Sequence, residues 1–423
     1  MESYVWYNNQ TMTTSETERI VQAEENYKKD PLYIPLTELE QSAFCQTENN
    51  LITKPLKEEL QSTWINWQKI PESYQNLDAN ELDRRILKSK SILGKDLVVL
   101  GHHYQRDEVI KYADITGDSY LLSLEASRQN APYVVFCGVH FMAETADILT
   151  SSDQTVILPN MAAGCSMADM AKTNDVIDAW DDIQTITTSV TPVTYMNSTA
   201  SIKSLCGENN GIVCTSSNAQ PVFEWAFDQN EKIFFLPDEH LGRNTGRKLG
   251  IPESEMMVWN PFKPMGGLTN DEIKSAKVLL WKGHCSVHTR FNITQINNAR
   301  EKFPDVTVLV HPECTNDVVN AADLNGSTEF IIDTVNNSKP GSIFAIGTEI
   351  NLVNRLANNN PDKQIFCLDS MVCPCATMYR VHPAYLCWVL DSIIEGKPTN
   401  IINVDEKTSN FAKISVNRML EIK

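Results

Sequence analysis

The stretch LVVLGHHYQ at residues 97–105 is a short apolar run that ends in a cluster of polar side chains. Such a run, rich in valine and leucine, is typical of a buried strand, and the polar cluster indicates where the strand ends. GDS at residues 117–119 and MAAGCSMAD at residues 161–169 follow, with a second apolar run between them. Strand, hydroxyl-bearing turn, strand and cysteine therefore succeed one another in a fixed order.

Two later stretches of the chain repeat this order. TPVTYMNSTAS at residues 191–201 opens a copy that ends at Cys285, and TVLVHPECTND at residues 307–317 opens a copy that ends at Cys373. A repeated order of this kind indicates similar structural units placed one after another. We therefore predict three equivalent α/β units arranged around a pseudo-threefold axis.

The spacing within the copies locates an insertion. From His102 to Cys165 there are 63 residues and from His311 to Cys373 there are 62, whereas the middle copy is longer. Proline and glycine cluster in PFKPMGGL at residues 261–268, between two periodic segments. Such clusters mark loops, so we predict that the insertion in the middle copy lies there.

Short β-rich runs alternate with helical patterns from residue 97 onward, which predicts parallel sheets with helices on both faces. The predicted strands are 97–100, 133–139, 155–159, 191–196, 211–214, 232–237, 307–312, 329–332, 342–347 and 364–368. The predicted fold class is thus α/β, with three pseudo-symmetric three-layer αβα domains around a central active site. The predicted boundaries are an N-terminal extension of unknown role at 1–80, then units at 81–175, 176–290 and 291–423, the last including a C-terminal helix.

Composition and charge limit the classes of function. The formal net charge of −18 argues against nonspecific binding to nucleic acids or acidic membranes, which requires clustered Lys and Arg. The first thirty residues lack both a basic start and an apolar run, so they do not resemble a targeting peptide. We therefore expect a cytoplasmic protein that binds neither nucleic acid nor membrane.

Eleven cysteines are many for a cytoplasmic chain, and a reducing compartment points away from disulfides and toward metal binding or catalysis. The chain contains no C-x-x-C motif, so cysteines that bind a metal must come from distant segments. Cys165, Cys285 and Cys373 occupy matching positions in the three copies. Three thiolates would leave one iron of a [4Fe-4S] cluster without a protein ligand, free to act as a Lewis acid.

Two alternatives remain open from the residues alone. The three cysteines can instead be buried structural residues, which is the commonest role of free cysteine. Cys375 lies only two residues past Cys373, and sequence spacing cannot decide which of the two sulfurs faces the centre.

Polar side chains at the predicted strand ends form the second group of candidates. They are His102, Tyr104, Tyr195, Asn197, His311 and Glu313, and each pair is followed by a turn that carries Ser119, Ser216, or Ser327 with Thr328. Hydroxyls at helix N-termini beside free backbone N–H groups suit phosphate or carboxylate, although the same residues also serve as ordinary helix caps. His288 and Glu349 are weaker candidates, and each can equally be a hydrogen-bonded structural residue.

Taken together, these motifs resemble one known family. GHHYQ with GDS, MAAGCSMAD, TYMNS, CTSSNA, PDEHLGR, GHCSVH, HPE with GST, and MVCPCATM occur in this order over about residues 95–390, and they are similar to the signature of quinolinate synthases. The resemblance implies the three-domain fold and a [4Fe-4S] cluster held by Cys165, Cys285 and Cys373, with Cys373 preferred over Cys375. It also implies that Tyr104, Glu313 and His102 are catalytic, with Tyr104 and Glu313 as the acid/base pair.

The resemblance further implies that a set of residues, including two of these catalytic ones, binds substrate: His102, Ser119, Tyr195, Asn197, Ser216, His311, Glu313, Ser327 and Thr328. The implied activity condenses iminoaspartate with dihydroxyacetone phosphate to quinolinate, with loss of phosphate and two waters, in de novo NAD biosynthesis. Such an enzyme is a transferase of the EC 2.5.1 type and would have a functional link to the enzyme that supplies iminoaspartate. The open iron would bind substrate oxygens.

Two other functions compete with this one. A different cluster-dependent hydro-lyase on the same scaffold would act on another hydroxy acid, and analysis of the products would distinguish it. A protein that senses or stores metal would use the three cysteines passively, but it would leave Tyr104, Glu313 and Asn197 beside the hydroxyl turns without a purpose.

Overall fold

Parallel sheets interleaved with helices build the part of the chain that the structure describes. The computed structural model describes residues 44–46, 53–62 and 67–422. Within these ranges the strands form two four-stranded sheets and one five-stranded sheet, and the strand pairs in them run parallel. The predicted α/β fold of three parallel-sheet units is therefore confirmed.

Three helices precede the first sheet in the described ranges: α1 (Leu56–Ser62), α2 (Glu72–Gln75) and α3 (Ala79–Leu93). The side chain of Asp78 accepts a hydrogen bond from the backbone N–H of Glu81 at 2.9 Å and so caps the start of α3. Of the predicted extension at residues 1–80, residues 1–43, 47–52 and 63–66 lie outside the described residues.

The first sheet contains β1 (Leu97–His102), β2 (Ile115–Gly117), β3 (Tyr133–Cys137) and β4 (Thr155–Ile157) in the order β2-β1-β3-β4. Four helices accompany these strands: α4 (Asp107–Ile110), α5 (Ser119–Arg128), α6 (His140–Leu149) and α7 (Ser166–Asp169). Helix α8 (Thr173–Ile186) follows them, and its buried residues pack in the core of the second sheet. Every residue of β1 is buried, as expected for a central strand of a parallel sheet whose two faces are covered.

The second sheet contains β5 (Val190–Tyr195), β6 (Ile212–Cys214), β7 (Lys232–Leu236), β8 (Met256–Trp259) and β9 (Val278–Trp281). Its strand order is β6-β5-β7-β9-β8. The helices of this region are α9 (Ala200–Glu208), α10 (Ala219–Gln229), α11 (Glu239–Lys248) and α12 (Asn270–Ser275). Short 3-10 turns occur at Glu253–Glu255, Pro264–Gly267 and His288–Arg290.

The third sheet contains β10 (Thr307–Val310), β11 (Leu324–Asn325), β12 (Ile343–Gly347) and β13 (Gln364–Cys367) in the order β11-β10-β12-β13. Its helices are α13 (Ile293–Lys302), α14 (Asn316–Ala321), α15 (Thr328–Asn336), α16 (Ile350–Asn359) and α17 (Ala376–Tyr379). Two longer helices follow, α18 (Pro383–Ile394) and α19 (Glu406–Glu421).

The three sheets repeat one strand order, and the middle sheet adds one strand to it. In each sheet the first strand lies between the second and the third, and the strand that precedes the cysteine-bearing loop lies beyond the third. The additional strand is β8, which pairs with β9 at the edge of the second sheet. PFKPMGGL at residues 261–268 directly follows β8, so the insertion contributes an edge strand as well as the predicted loop.

One predicted strand is wrong. Residues 329–332 (EFII) lie in helix α15, not in a strand. The side chain of Ser327 accepts a hydrogen bond from the backbone N–H of Phe330 at 3.3 Å, which caps the helix. Ile331 and Val335 are four residues apart and both fully buried, as one face of a helix requires. A four-residue apolar run is too short to show this period by itself.

The two C-terminal helices pack away from the third sheet. Helix α18 packs against α3, where the hydroxyl of Ser89 donates a hydrogen bond to Asp391 at 2.9 Å. Helix α19 packs against α9 of the second sheet, and the hydroxyl of Ser415 donates to the backbone oxygen of Lys203 at 2.7 Å. The end of the chain thus ties the first two sheets to the third. The predicted unit boundaries remain a prediction.

Within the described ranges, no helix has both the length and the apolar character that crossing a bilayer would need.

Candidate active site

A cavity lined by residues of all three units lies where the three sheets meet. Strand ends and the loops that follow them supply its lining, as expected for ligand sites of open parallel sheets. Eleven of the residues predicted from the sequence line it: His102, Tyr104, Ser119, Tyr195, Asn197, Ser216, His311, Glu313, Thr328, Cys165 and Cys285. The cavity is thus built jointly by all three units.

Two predicted residues do not line this cavity. Ser327 is buried and its side chain caps α15, which is the ordinary structural role considered from the sequence. Cys373 is joined by a disulfide to Cys45 and also lies outside the lining. The third cysteine at the cavity is Cys375.

The arrangement of the cysteines differs from the expected one in two places. Cys375 lines the cavity and Cys373 does not, and Cys373 forms a disulfide with Cys45 although the compartment expected from the sequence points away from disulfides. Which cysteines bind a cluster remains a proposal. Cys375 is the residue immediately before helix α17, just as Cys165 is the residue immediately before α7. Spacing could not decide between them, since 62 and 64 residues from His311 bracket the 63 of the first copy equally.

The loop that carries Cys375 is held by a buried carboxylate. Oε1 of Glu349 accepts a hydrogen bond from the backbone N–H of Cys375 at 3.1 Å, and Oε2 accepts from the backbone N–H of Asn351 at 2.7 Å. Burial raises the pKa of Glu349 to about 7 despite these bonds. Glu349, considered only as a weak catalytic candidate, thus fixes the position of Cys375 and caps α16.

An N-terminal segment contacts the same loop. Besides the disulfide of Cys45, the backbone of Gln46 pairs with that of Val372. In α1, Glu59 receives a hydrogen bond from the buried guanidinium of Arg106 at 3.0 Å, and that guanidinium lies 4.1 Å from the ring centre of Tyr379. Part of the predicted N-terminal extension therefore supports the loop that presents Cys375.

The three cavity thiols are close enough to influence one another. Burial raises the pKa of each of Cys165, Cys285 and Cys375, and Cys375 raises the pKa of the other two further. Three thiols from three sheets, converging in a buried cavity, form a donor set that fits a metal cluster, because metal binding offsets the cost of the buried thiolates. Cys285, His288 and Glu313 also place ligand atoms within 4.8 Å of one another.

His102 and His311 have the same local arrangement at the ends of β1 and β10. Nδ1 of His102 accepts from the backbone N–H of Tyr104 at 3.1 Å, and Nδ1 of His311 accepts from the backbone N–H of Glu313 at 3.3 Å. In each case the residue two positions later is turned toward the cavity. Burial lowers the pKa of both histidines, that of His311 to about 3, so both imidazoles are neutral near pH 7.

Glu313 is the most strongly connected acid in the cavity. Its Oε1 accepts from the hydroxyl of Tyr195 at 2.6 Å, and its Oε2 lies 2.8 Å from Nδ1 of His288. Burial alone would raise the pKa of Glu313, but His288 and His311 lower it to about 2. Glu313 is therefore an ionised carboxylate over the physiological pH range.

Tyr104 lies on the opposite side of His288 from Glu313. Its hydroxyl is 3.1 Å from Oγ1 of Thr328 and 2.9 Å from Oγ1 of Thr348, and Thr348 is in turn 3.1 Å from Nε2 of His288. Burial and the charge of Glu313 raise the pKa of Tyr104, which keeps its hydroxyl protonated. A protonated phenol and an ionised carboxylate thus share one cavity.

The side chain of Asn197 is oriented for a ligand. It lines the cavity from the loop after β5, and its buried Oδ1 has no hydrogen-bond partner among the described residues. A buried amide oxygen without a partner carries a free-energy cost that a bound donor would remove. Ser216 lines the same side, in the turn before α10.

Sequence reasoning missed or underrated three residues of this site. Cys375 was named but not preferred, although CSMAD and CATMY both begin a short helix and this shared pattern distinguishes it from Cys373. His288, a weak candidate from the sequence, bonds Glu313. The sequence does not single out Thr348, because a threonine at a strand end gives no distinctive pattern.

Comparison with known proteins gives consistent matches. Residues 84–421 match the family model described as quinolinate synthetase A protein, which is more than half of the chain. The quinolinate synthase of Corynebacterium glutamicum is 54% identical over 358 residues, which cover 84% of this chain and 91% of that protein. Those of Herpetosiphon aurantiacus and Streptomyces coelicolor are each 53% identical, over 83% and 81% of this chain and 95% and 88% of those proteins.

Proposed function

The chain belongs to the quinolinate synthetase A family and is an enzyme of NAD biosynthesis, and on that premise we propose that it makes quinolinate from iminoaspartate and dihydroxyacetone phosphate in the cytoplasm. The reaction balances, because one molecule of each substrate gives quinolinate, one phosphate and two waters. It is a dehydrating condensation, hence a transferase of the EC 2.5.1 type, and it depends functionally on the enzyme that supplies iminoaspartate.

One observation carries this proposal. Three cysteines, each from a different sheet, converge on a cavity that also holds a protonated tyrosine and an ionised carboxylate, Tyr104 and Glu313. A site that only held metal would need the thiols but neither of these two groups. A condensation followed by isomerisation and dehydrations needs both an acid and a base.

We assign the binding of a [4Fe-4S] cluster to Cys165, Cys285 and Cys375. When bound, such a cluster supplies one iron without a protein ligand, which acts as a Lewis acid toward carboxylate and hydroxyl oxygens of the substrate. Glu349 fixes the third cysteine through its backbone N–H, so the donor set does not depend on a mobile loop.

Glu313 is the proposed base. Its carboxylate is ionised and is oriented by Tyr195 and His288, so it can take a proton from a carbon of the triose-derived portion and return it at the neighbouring carbon. Tyr104 is the proposed acid, because its hydroxyl stays protonated and can donate a proton to a departing oxygen. His102 packs edge-on against Tyr104 at 4.8 Å between ring centres and limits where that hydroxyl can point.

The substrates carry anionic phosphate and carboxylate groups. Because the chain is acidic overall, neutral hydrogen-bond donors are the groups proposed to bind them. Ser119 opens α5 and Ser216 precedes α10, and both line the cavity beside helix N-termini, where backbone N–H groups favour phosphate and carboxylate. Neutral His311 and the hydroxyl of Thr328 add donors from the third sheet. Asn197 presents an acceptor for an imine or hydroxyl proton.

The test is anaerobic purification with iron and sulfide analysis, followed by an assay for quinolinate from the two substrates, with Cys285→Ala as the control. We expect about one [4Fe-4S] cluster per chain together with product, both lost in the variant. A cluster without quinolinate would instead support a different cluster-dependent hydro-lyase. Failure to assemble a cluster after reconstitution would reject the cysteine assignment.

A further inference from the structure

Lys203 is a fully buried lysine between the first two sheets. It lies in helix α9, and the residue is 0% exposed. Its ammonium donates a hydrogen bond to the backbone oxygen of Met196 at 2.8 Å and a second one to the backbone oxygen of Ser198. These two residues flank Asn197, which lines the cavity. One ammonium therefore holds the chain on both sides of Asn197.

The two bonds restrict the backbone around Asn197. The peptide planes that carry the bonded oxygens lie before and after this residue, and a bond to each plane limits its rotation. The backbone N–H of Ser198 also donates to the oxygen of Met196 at 2.8 Å. The buried Oδ1 of Asn197 has no hydrogen-bond partner among the described residues, so the conformation of the loop sets the direction of this oxygen.

The same ammonium contacts the wall of the cavity that the first sheet supplies. It lies 5.4 Å from the ring centre of Phe141, a residue of α6 that lines the cavity. A lysine ammonium at this distance is attracted by the face of an aromatic ring. The backbone of Lys203 is itself anchored, since its oxygen accepts the hydroxyl of Ser415 at 2.7 Å. Lys203 thus connects two walls of the cavity from a fixed position.

The positive charge of Lys203 is not neutralised by an ion pair with any other described residue. Burial lowers the pKa of Lys203 to about 8, whereas Glu144, Cys206 and Cys165 raise it. A neutral donor would satisfy two backbone oxygens at a lower desolvation cost than a cation does. A buried cation at this place therefore suits a neighbourhood that also holds negative charge, as a cavity for anionic substrates does.

We infer that Lys203 is a positioning residue for the substrate: its ammonium fixes the loop of residues 195–198 so that Asn197 presents its amide oxygen to the cavity. The inference rests on the proposed function. Without the ammonium, two buried backbone oxygens lose a donor, and the loop can satisfy them only by changing its conformation. Such a change turns Asn197 away from the substrate, and small misplacements of this kind are costly for turnover.

Three variants separate this role from ordinary support of the fold. Lys203→Met removes the ammonium and keeps an unbranched side chain, and Lys203→Gln is a milder change that keeps an N–H donor. Lys232→Met is the matched control, because Lys232 is the other buried lysine among the described residues and also donates to two backbone oxygens, those of Lys274 and Ala276. Lys232 begins β7, at the end of the second sheet that lies away from the cavity.

Hydrogen–deuterium exchange of the full-length, anaerobically purified proteins measures the loop without turnover. We expect Lys203→Met to speed exchange in peptides that cover residues 195–199 by about 3-fold or more, and Lys232→Met to leave these peptides unchanged. Lys203→Gln should give a smaller increase, and it takes the place of Lys203→Met if that variant does not fold. Unchanged exchange in the Lys203 variants would overturn the inference even if quinolinate is made. Faster exchange would support it even if another product is found.

Steady-state rates of the same proteins test whether the position of the loop matters to the substrate. We expect Lys203→Met to lower kcat/KM by roughly 10-fold or more, and Lys232→Met to stay within about 3-fold of wild type at a similar loss of thermal stability. In an Asn197→Ala background, Lys203→Met should cost almost nothing more, because both changes remove the same contact. An undiminished kcat/KM in Lys203→Met, an equal loss in Lys232→Met, or independent losses in the double variant would overturn the inference.

Discussion

Cys165 and Cys375 occupy the same position in two different sheets, each directly before a four-residue helix and each eight residues after the last strand of its sheet. Both line the cavity. The distance from the last strand of the sheet therefore selects Cys375 as the third thiol of the cavity. It does not select Cys373, the first cysteine of the C-P-C sequence.

We predict that Cys375→Ala loses the iron–sulfur cluster whereas Cys373→Ala keeps it. Only Cys375 lines the cavity, and its loop stays anchored to Glu349 in the Cys373 variant. Iron content and the visible absorption of anaerobically purified protein measure the difference. Equal iron content in the two variants would contradict the assignment.

Glu313→Gln should keep the cluster and lower kcat by about 10²–10⁴-fold. The amide has the shape of the carboxylate but cannot accept a proton from carbon. Iron analysis and steady-state rates test this prediction. Asn298→Asp on the surface is the control for an ordinary amide–acid exchange. A rate near that of the wild type would remove Glu313 from its role as the base.

The pH dependence of turnover follows from the shifted pKa values. Glu313, with its pKa lowered to about 2, and His311, with its pKa lowered to about 3, gain protons only below about pH 3. Falling pH therefore cannot switch off the base between pH 8 and pH 5, and raised pKa values keep Tyr104 and Tyr195 protonated at the alkaline end. We expect the pH profile of kcat/KM to show no rise or fall caused by these four groups between pH 5 and pH 8. A rise or fall in this interval that disappears in Glu313→Gln would contradict the prediction.

Removal of the disulfide should lower thermal stability only under oxidising conditions. The bond links residues 328 positions apart. A disulfide typically contributes about 2–4 kcal/mol when formed, and the contribution increases with the length of the loop that it closes. Melting of Cys45→Ser and wild type with and without a dithiol reductant measures this. The two proteins should melt alike in the reductant; a difference that persists there would have another origin.

Arg106→Met should destabilise the protein by about 3–5 kcal/mol, because it leaves the carboxylate of Glu59 buried without its guanidinium and removes the contact with Tyr379. Denaturant melting of the variant gives the value. Arg84→Ala, which breaks the exposed pair with Glu81, is the control and should change stability little. Similar midpoints in both variants would contradict the importance of the buried pair.

Sequence patterns predicted this fold well where a local rule applied. The long apolar runs and the recurrence of cysteine after hydroxyl turns were sufficient for three parallel sheets, and nearly every polar strand-end residue proved to line the cavity. The strand predicted at EFII (329–332) is wrong because the two residues that indicate a helix lie outside this stretch. Ser327 caps the helix, and Val335 lies on the same buried face as Ile331. Short strands such as β11 have too few residues for a pattern.

Other features depend on contacts between distant segments, which no local pattern contains. Thr348 contacts Tyr104 and His288 only because these two residues arrive from two other sheets. The choice between Cys373 and Cys375 depends on the N-terminal segment, which bonds one through Cys45, and on Glu349, which holds the other. The spacing of the repeats limited the third cavity cysteine to Cys373 or Cys375 and could not decide between them.

The division of the cavity among three sheets also determines when, during the synthesis of a chain, the cavity can first exist. Cys165 and Cys285 leave the ribosome well before Cys375, and the helices that tie the first two sheets to the third come later still. A nascent chain therefore exposes two of the thiols without the third. On the proposed function, a cluster held by all three cysteines can therefore be completed only when translation of the chain is nearly finished.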